Sequence, residues 1–173
     1  MLLTLLASNW LAASEVWIRV DTEHRILDVM RDEQVIRSIE NISLGINGPN
    51  QSKILHDKTT PLGSYRVRRI NDESRFLLFF GFDYPNLQQA QAGFKAGLIS
   101  YDQLKAIRRA HYLGQEPPSN TPLGGMIGIH GLGGGDPAIH ESFNWTDGCI
   151  AVTNEEVVEL AQWIQLGTRV EVE

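Results

Sequence analysis

Apolar and polar positions alternate with a period of two near the start of the chain. Val16-Trp17-Ile18-Arg19-Val20 reads as a half-buried strand. Asp21-Thr22-Glu23-His24 is turn-like, and Arg25 to Arg31 reads as the return strand. Asp32-Glu33 makes a second turn, and Gln34 to Leu44 continues an antiparallel meander. Gly45 to Asn50 is a loop rich in Gly, Asn and Pro. In a second loop, Thr59 to Gly63, Pro61 fixes φ and Gly63 permits a turn that other residues resist. Tyr65 to Ile70 and the strongly apolar Phe76 to Phe82 follow as strands.

From Leu87 to Gly114 the β pattern stops. Ser100 precedes Gln103 at capping-box spacing, Gly114 is a C-terminal stop, and Leu104, Ile107 and Ala110 form an apolar stripe. This stretch reads as a helical insert, either a wall or lid of a groove or a surface elaboration. Residues 116–122, with three prolines, form a stiff linker back to the sheet. Thr153 and Glu156 make another capping box, followed by Val157, Leu160, Ala161 and Ile164 at helical spacing. Gly167 ends that helix, and Arg169 to Glu173 is a last strand. The fold class expected is therefore mainly β with helices (α+β), with a helical insert at about residues 87–114 and a C-terminal helix. Residues 15–173 form one domain. Residues 1–14, apolar at first and ending in small residues but lacking a basic start, read as a signal or disordered segment.

Composition narrows the function. A chain of 173 residues can bury a real core. The net charge is −6, and no Lys/Arg cluster exceeds Arg66, Arg68 and Arg69 along one strand, which argues against a nucleic-acid partner. No apolar run is long enough to span a bilayer. The single cysteine cannot form an internal disulfide; alone, it reads as a small buried hydrophobe unless its surroundings give it a task.

Those surroundings are distinctive. Cys149 follows a glycine and precedes the apolar run Ile150-Ala151-Val152; His130 ends another, Met126-Ile127-Gly128-Ile129. Two short strands would set a thiol beside an imidazole, as a cysteine nucleophile with a histidine base requires. The backbone of Gly131 could orient the ring. The amides of Asp147, Gly148 and Cys149 are candidates for an oxyanion hole, because Gly148 lets several N–H groups point one way. His140 is the rival base. The two histidines and the cysteine match no familiar zinc spacing, so no metal and no cofactor are expected.

The same residues resemble the catalytic signature of the L,D-transpeptidase (YkuD-type) family. The matching residues are His130-Gly131 and Thr146-Asp147-Gly148-Cys149-Ile150-Ala151-Val152, together with Thr60-Pro61-Leu62-Gly63-Ser64-Tyr65 and, as in one branch, Asp83-Tyr84-Pro85-Asn86. The resemblance implies a mixed β-sandwich and an exported, periplasmic enzyme of wall biogenesis and cell shape. It implies attack by Cys149 on peptidoglycan stem peptides next to meso-diaminopimelate, with a backbone carbonyl beside His130 as the third member. The acyl group would pass to an amine, giving a cross-link or an attached lipoprotein, or to water, making the protein an L,D-carboxypeptidase or amidase. It further implies acylation by carbapenems. Tyr84, Trp145, Thr146 and Arg75 are the substrate-binding candidates. The chain departs from the pattern twice: Asp147 stands where many members have His, and Ala151 where many have Arg. A carboxylate beside the thiol opposes thiolate formation. The missing arginine removes an anchor that Arg75, Arg108 or Arg109 could replace. These departures also leave room for a non-catalytic wall-binding module.

Overall fold

The structure is a computed structural model and describes residues 14–173. The signal or disordered segment expected at residues 1–14 lies, save for Ser14, outside the described residues. Among the described residues there are ten strands and four helices. The opening meander is β1 (Val16–Asp21), β2 (Ile26–Arg31) and β3 (Gln34–Ile39). Two short strands, β4 (Pro49–Asn50) and β5 (Thr60–Pro61), pair with each other across the loop region. Next come the long β6 (Gly63–Ser74) and β7 (Leu77–Phe82). The helical insert holds α1 (Leu87–Lys95) and α2 (Tyr101–Tyr112). The last part runs β8 (Gly128–His130), α3 (Pro137–Ser142), β9 (Ile150–Ala151), α4 (Asn154–Leu160) and β10 (Arg169–Val172).

Eight strands make one mixed sheet in the order β3-β2-β1-β10-β6-β7-β8-β9. The twelve-residue β6 serves both halves: its first part pairs with β10 and the rest with β7. Ile18, Val20, Leu27, Val29 and Ile39 from one half share a single buried cluster with Phe80, Phe82, Ile129 and Ile150 from the other. The sheet thus bends back on itself around one core, as a sandwich does. The chain leaving β3 then crosses to the far edge. Ser43 exchanges both backbone hydrogen bonds with Ala151, and Thr146 bonds to Leu44 and Ile46. That crossing ties down the turn that carries Cys149.

The strands begin and end within a few residues of where alternation places them. The insert is helical and consists of two helices, each opened by a capping box, Asn86 with Gln89 and Ser100 with Gln103. They pack through their own cluster of Ala90, Ile99, Leu104, Ile107 and Leu123. The last helix is shorter than its apolar spacing suggests. It closes at Leu160, and turns carry the chain on to Gly167, whose φ of 92° suits the bend into β10. The glycine-rich segment before Cys149 also holds a helical turn, α3, begun by Asp136 and Pro137.

Candidate active site

β8 and β9 run parallel, with Ile129 opposite Ile150 and His130 opposite Ala151. Cys149, two residues before Ala151, falls on the face His130 occupies, one diagonal step along. Both line a single cavity of about 960 Å³. No hydrogen bond joins them; the Sγ of half-buried Cys149 donates instead to the Met126 carbonyl at 3.3 Å. The sequence places the two groups side by side, and the structure places them diagonally.

His130 is held on every side. Its Nδ1 meets the carbonyl of Gly131 at 2.7 Å. A carbonyl only accepts, so Nδ1 carries the proton and Nε2 keeps the lone pair. Phe76 stacks on the ring at 4.1 Å between centroids, and the edge of Trp145 approaches at 5.7 Å. Burial pushes the imidazole down to about 4; the Gly131 carbonyl opposes this and Arg75 adds to it. Burial pushes the Cys149 thiol up to about 11, against the pull of the Gly128 N–H and the Lys53 ammonium and with the help of Asp147. Cys149 as a whole is half-buried and lines the cavity. At neutral pH the resting pair is a neutral thiol and a neutral imidazole.

The turn before Cys149 has a built geometry. Thr146 Oγ1 donates to the Cys149 carbonyl at 2.7 Å and accepts from the Gly148 N–H at 3.1 Å. This corrects the expected oxyanion hole, because the Gly148 amide is already engaged. The N–H groups of Asp147 and Cys149 are the remaining candidates. Gly148 adopts φ of 129°, and a Cβ there would sit 2.5 Å from the Thr59 carbonyl. No side chain fits, which is what brings the Thr59–Thr60 loop against the nucleophile's turn.

The other expected residues divide. Trp145, Thr146 and Arg75 line the cavity with Cys149 and His130. Arg75 is exposed and lies over the ring of Phe76 at 4.6 Å. Tyr84 does not line it. It is 1% exposed, and its hydroxyl donates to the Leu123 carbonyl at 2.8 Å. As a substrate contact Tyr84 is therefore a correction: the Asp83–Asn86 motif works inside the fold. Asp83 accepts from the Arg66 N–H at 2.7 Å, His111 donates to the Pro85 carbonyl at 2.9 Å, and Asn86 caps α1. Arg108 pairs with Gln91 on the insert and does not line the cavity, nor does Arg109. The insert's helices contribute nothing to the lining; Ser119 and residues 124–127 beyond them do. His140 is buried behind Trp145 and accepts its indole N–H at 3.3 Å, so it serves that ring rather than the thiol.

Sequence reasoning passes over Lys53, Lys58, Arg69, Phe76 and Phe79, all in the lining. They come from distant loops and strands, and nothing in their local spacing marks them. They make the cavity basic and aromatic; among the described residues Glu73 and Asp147 are its carboxylates. The exposed Asp147 is itself faced by Lys58 at 3.6 Å. Among the described residues no group of three His, Cys, Asp or Glu could hold a metal ion.

The model of the L,D-transpeptidase catalytic domain family matches residues 15–172. No curated protein matches the chain. Among solved structures, Bd1075 of Bdellovibrio bacteriovorus is 23% identical over 96% of this chain and 50% of its own, with a TM-score of 0.59. The helical cell shape determining protein Pgp2 of Campylobacter jejuni is 23% identical over 93% of this chain and 50% of its own, with a TM-score of 0.59. An L,D-transpeptidase from Xylanimonas cellulosilytica is 17% identical over 94% and 62%, with a TM-score of 0.51. At these identities the likeness is one of fold. The chain spans about half the length of the first two.

Proposed function

The chain belongs to the L,D-transpeptidase catalytic-domain family, which acts on peptidoglycan, and from that premise we propose that it is a cysteine acyltransferase acting on stem peptides next to meso-diaminopimelate. The observation that carries this reading is the shared cavity: one thiol and one imidazole on the same face, walled by cations and aromatic rings. Stem peptides carry several carboxylates, and a basic cavity suits them.

The chemistry follows from the resting protonation. His130 Nε2 takes the proton as Sγ adds to the amide carbonyl, so the thiolate need not accumulate beforehand. The oxygen of the tetrahedral adduct gains a negative charge, which the Cys149 N–H, with that of Asp147, would receive. The adduct collapses as the C–N bond breaks and the leaving amine takes the proton back from His130. An acyl thioester on Cys149 remains. An incoming amine, made nucleophilic by the same imidazole, then displaces the sulfur and gives a cross-link or an attached lipoprotein. Water in that place gives hydrolysis. Arg75 and Trp145 are assigned to holding the substrate, and Thr146 to holding the turn. Residues 15–173 act as one catalytic unit, exported to the compartment that holds the wall. No helix among the described residues is long and apolar enough to cross a membrane.

The test is intact-protein mass spectrometry after incubation with a carbapenem and with purified muropeptides, with and without an amine acceptor. The expected result is a covalent adduct on Cys149 and a transfer product that requires the amine. Trimmed muropeptides regardless of the amine would make the protein a hydrolase. Binding of muropeptides without any adduct would make it a wall-binding module.

A further inference from the structure

Lys53 belongs to none of the motifs named above. It comes from the loop between β4 and β5, yet its side chain is only 5% exposed. A surface lysine normally carries its ammonium out to water. This one is turned inward, beneath the turn that carries the nucleophile. Nζ donates to Asp57 Oδ1 at 2.7 Å and to the Asp147 carbonyl at 3.4 Å. A Cβ on Gly148 would come within 3.1 Å of it.

An inward ammonium is costly unless paired and hydrogen-bonded, and the partner here is prepared. Asp57 accepts from the N–H of Ile54 at 2.8 Å, the N–H of Thr59 at 3.0 Å and the Thr59 hydroxyl at 2.9 Å. Burial alone would raise the Asp57 carboxyl; Lys53 and these donors outweigh it and hold it below its ordinary range. One peptide unit is consequently gripped from both ends. Lys53 holds the Asp147 carbonyl, and Thr146 Oγ1 holds the Gly148 N–H. With that unit fixed, the next amide, Cys149 N–H, has a set direction.

We propose that Lys53 is a positioning residue for the reaction at Cys149: it clamps the Asp147–Gly148 peptide so that the Cys149 amide faces the developing oxyanion, and it supplies positive charge behind the sulfur. This rests on Cys149 being the nucleophile. It also answers the two departures of this chain, since the cation comes from a separate loop rather than from position 147 or 151. The other charged or titratable groups lining the sulfur's cavity are His56 and Lys58 on the same loop, Arg69 and Glu73 on β6, Arg75 beyond it, His130 on β8 and Asp147 in the turn itself. Of the basic groups among them, none donates to the turn's backbone.

The test is the pH dependence of Cys149 alkylation by iodoacetamide, read by intact mass; the chain has one cysteine, so the signal is unambiguous. In Lys53→Met the inflection moves up by about one pH unit, and alkylation at neutral pH slows about tenfold. Lys53→Arg restores most of it. In Asp57→Asn the lysine stays and loses its counter-charge, so the inflection moves down. A general loosening of the loop would move both variants the same way, and that result, or a wild-type profile in folded Lys53→Met, overturns the proposal. Should Lys53→Met fail to fold by circular dichroism, Asp57→Asn decides alone: an inflection unmoved or raised overturns it. Carbapenem acylation of the wild type is measured alongside. Its absence would strike down the transferase reading, while the alkylation profiles would still judge Lys53.

Discussion

The Nδ1–H of His130 is bonded at 2.7 Å to the carbonyl of Gly131, the residue that follows it. A Cβ at Gly131 would lie 2.8 Å from each of Asn154 Oδ1, the Phe76 carbonyl and Val157 Cγ1. Only glycine lets the backbone pass there, so the third member of the site is a carbonyl whose place depends on an absent side chain. The tautomer that leaves Nε2 basic is thereby written into the backbone.

Burying this ring neutral has a consequence for stability. The ordinary imidazole value is 6.5, and burial lowers His130 to about 4. Between those values the unfolded chain binds a proton that the folded chain does not. The contribution of His130 to stability is therefore full above pH 6.5 and is lost as pH falls toward 4, by up to about 3 kcal/mol. Urea unfolding midpoints measured from pH 7 to 4 should fall steeply in the wild type and less steeply in His130→Asn.

Cys149→Ala should remove all acylation and turnover while leaving the fold. The thiol donates to the Met126 carbonyl at 3.3 Å, and the residue is half-buried. Little packing is lost, so the cost should stay near 1 kcal/mol or less. Turnover equal to the wild type in this variant would exclude a cysteine nucleophile.

Much of this was legible in the sequence, and the reasons differ by residue. Alternation in Val16–Val20 and the capping pairs Ser100–Gln103 and Thr153–Glu156 are local signals, and local signals survive folding. The Cys149 and His130 strands carry theirs in short apolar runs beside glycine. Tyr84 was misplaced because a motif names a residue without saying which way it points; its neighbours turn it inward. The role of Thr146 was invisible because it depends on the path of the turn, not on spacing. Lys53 and Arg69 reach the cavity from loops and strands far away in sequence, and only tertiary contacts reveal that.

Thr146→Val keeps the shape of the side chain and removes its oxygen. The Cys149 carbonyl and the Gly148 N–H then lose a partner, Thr146 Oγ1, that is itself buried. The expected cost is about 1–3 kcal/mol in stability. Acylation should slow by on the order of 100-fold, because the oxyanion amide loses its fixed direction. Thr146→Ser keeps the oxygen and should restore most of both. Thermal unfolding and the carbapenem acylation rate measure the two effects separately.

Arg75→Ala should act on binding. The guanidinium is exposed over Phe76 at the cavity's lining and has no salt-bridge partner among the described residues. Steady-state kinetics on a muropeptide should show KM raised about tenfold with kcat little changed, the pattern of a group that holds substrate and transition state alike.

Tyr84→Phe separates a fold role from a substrate role. The hydroxyl donates to Leu123 O at 2.8 Å and approaches Lys53 O at 3.4 Å, and the ring is 1% exposed. Burial pushes the phenol far above its ordinary range, so it remains a neutral donor at any working pH. Removing the oxygen leaves the Leu123 carbonyl buried without that donor, at about 1–2 kcal/mol. For a chain of this size that lowers Tm by about 2–8 °C. The ring still fills its space, so the cavity and KM should not change. A variant with wild-type Tm and a severalfold higher KM would return Tyr84 to the substrate site and would mean that the ring turns outward when substrate arrives.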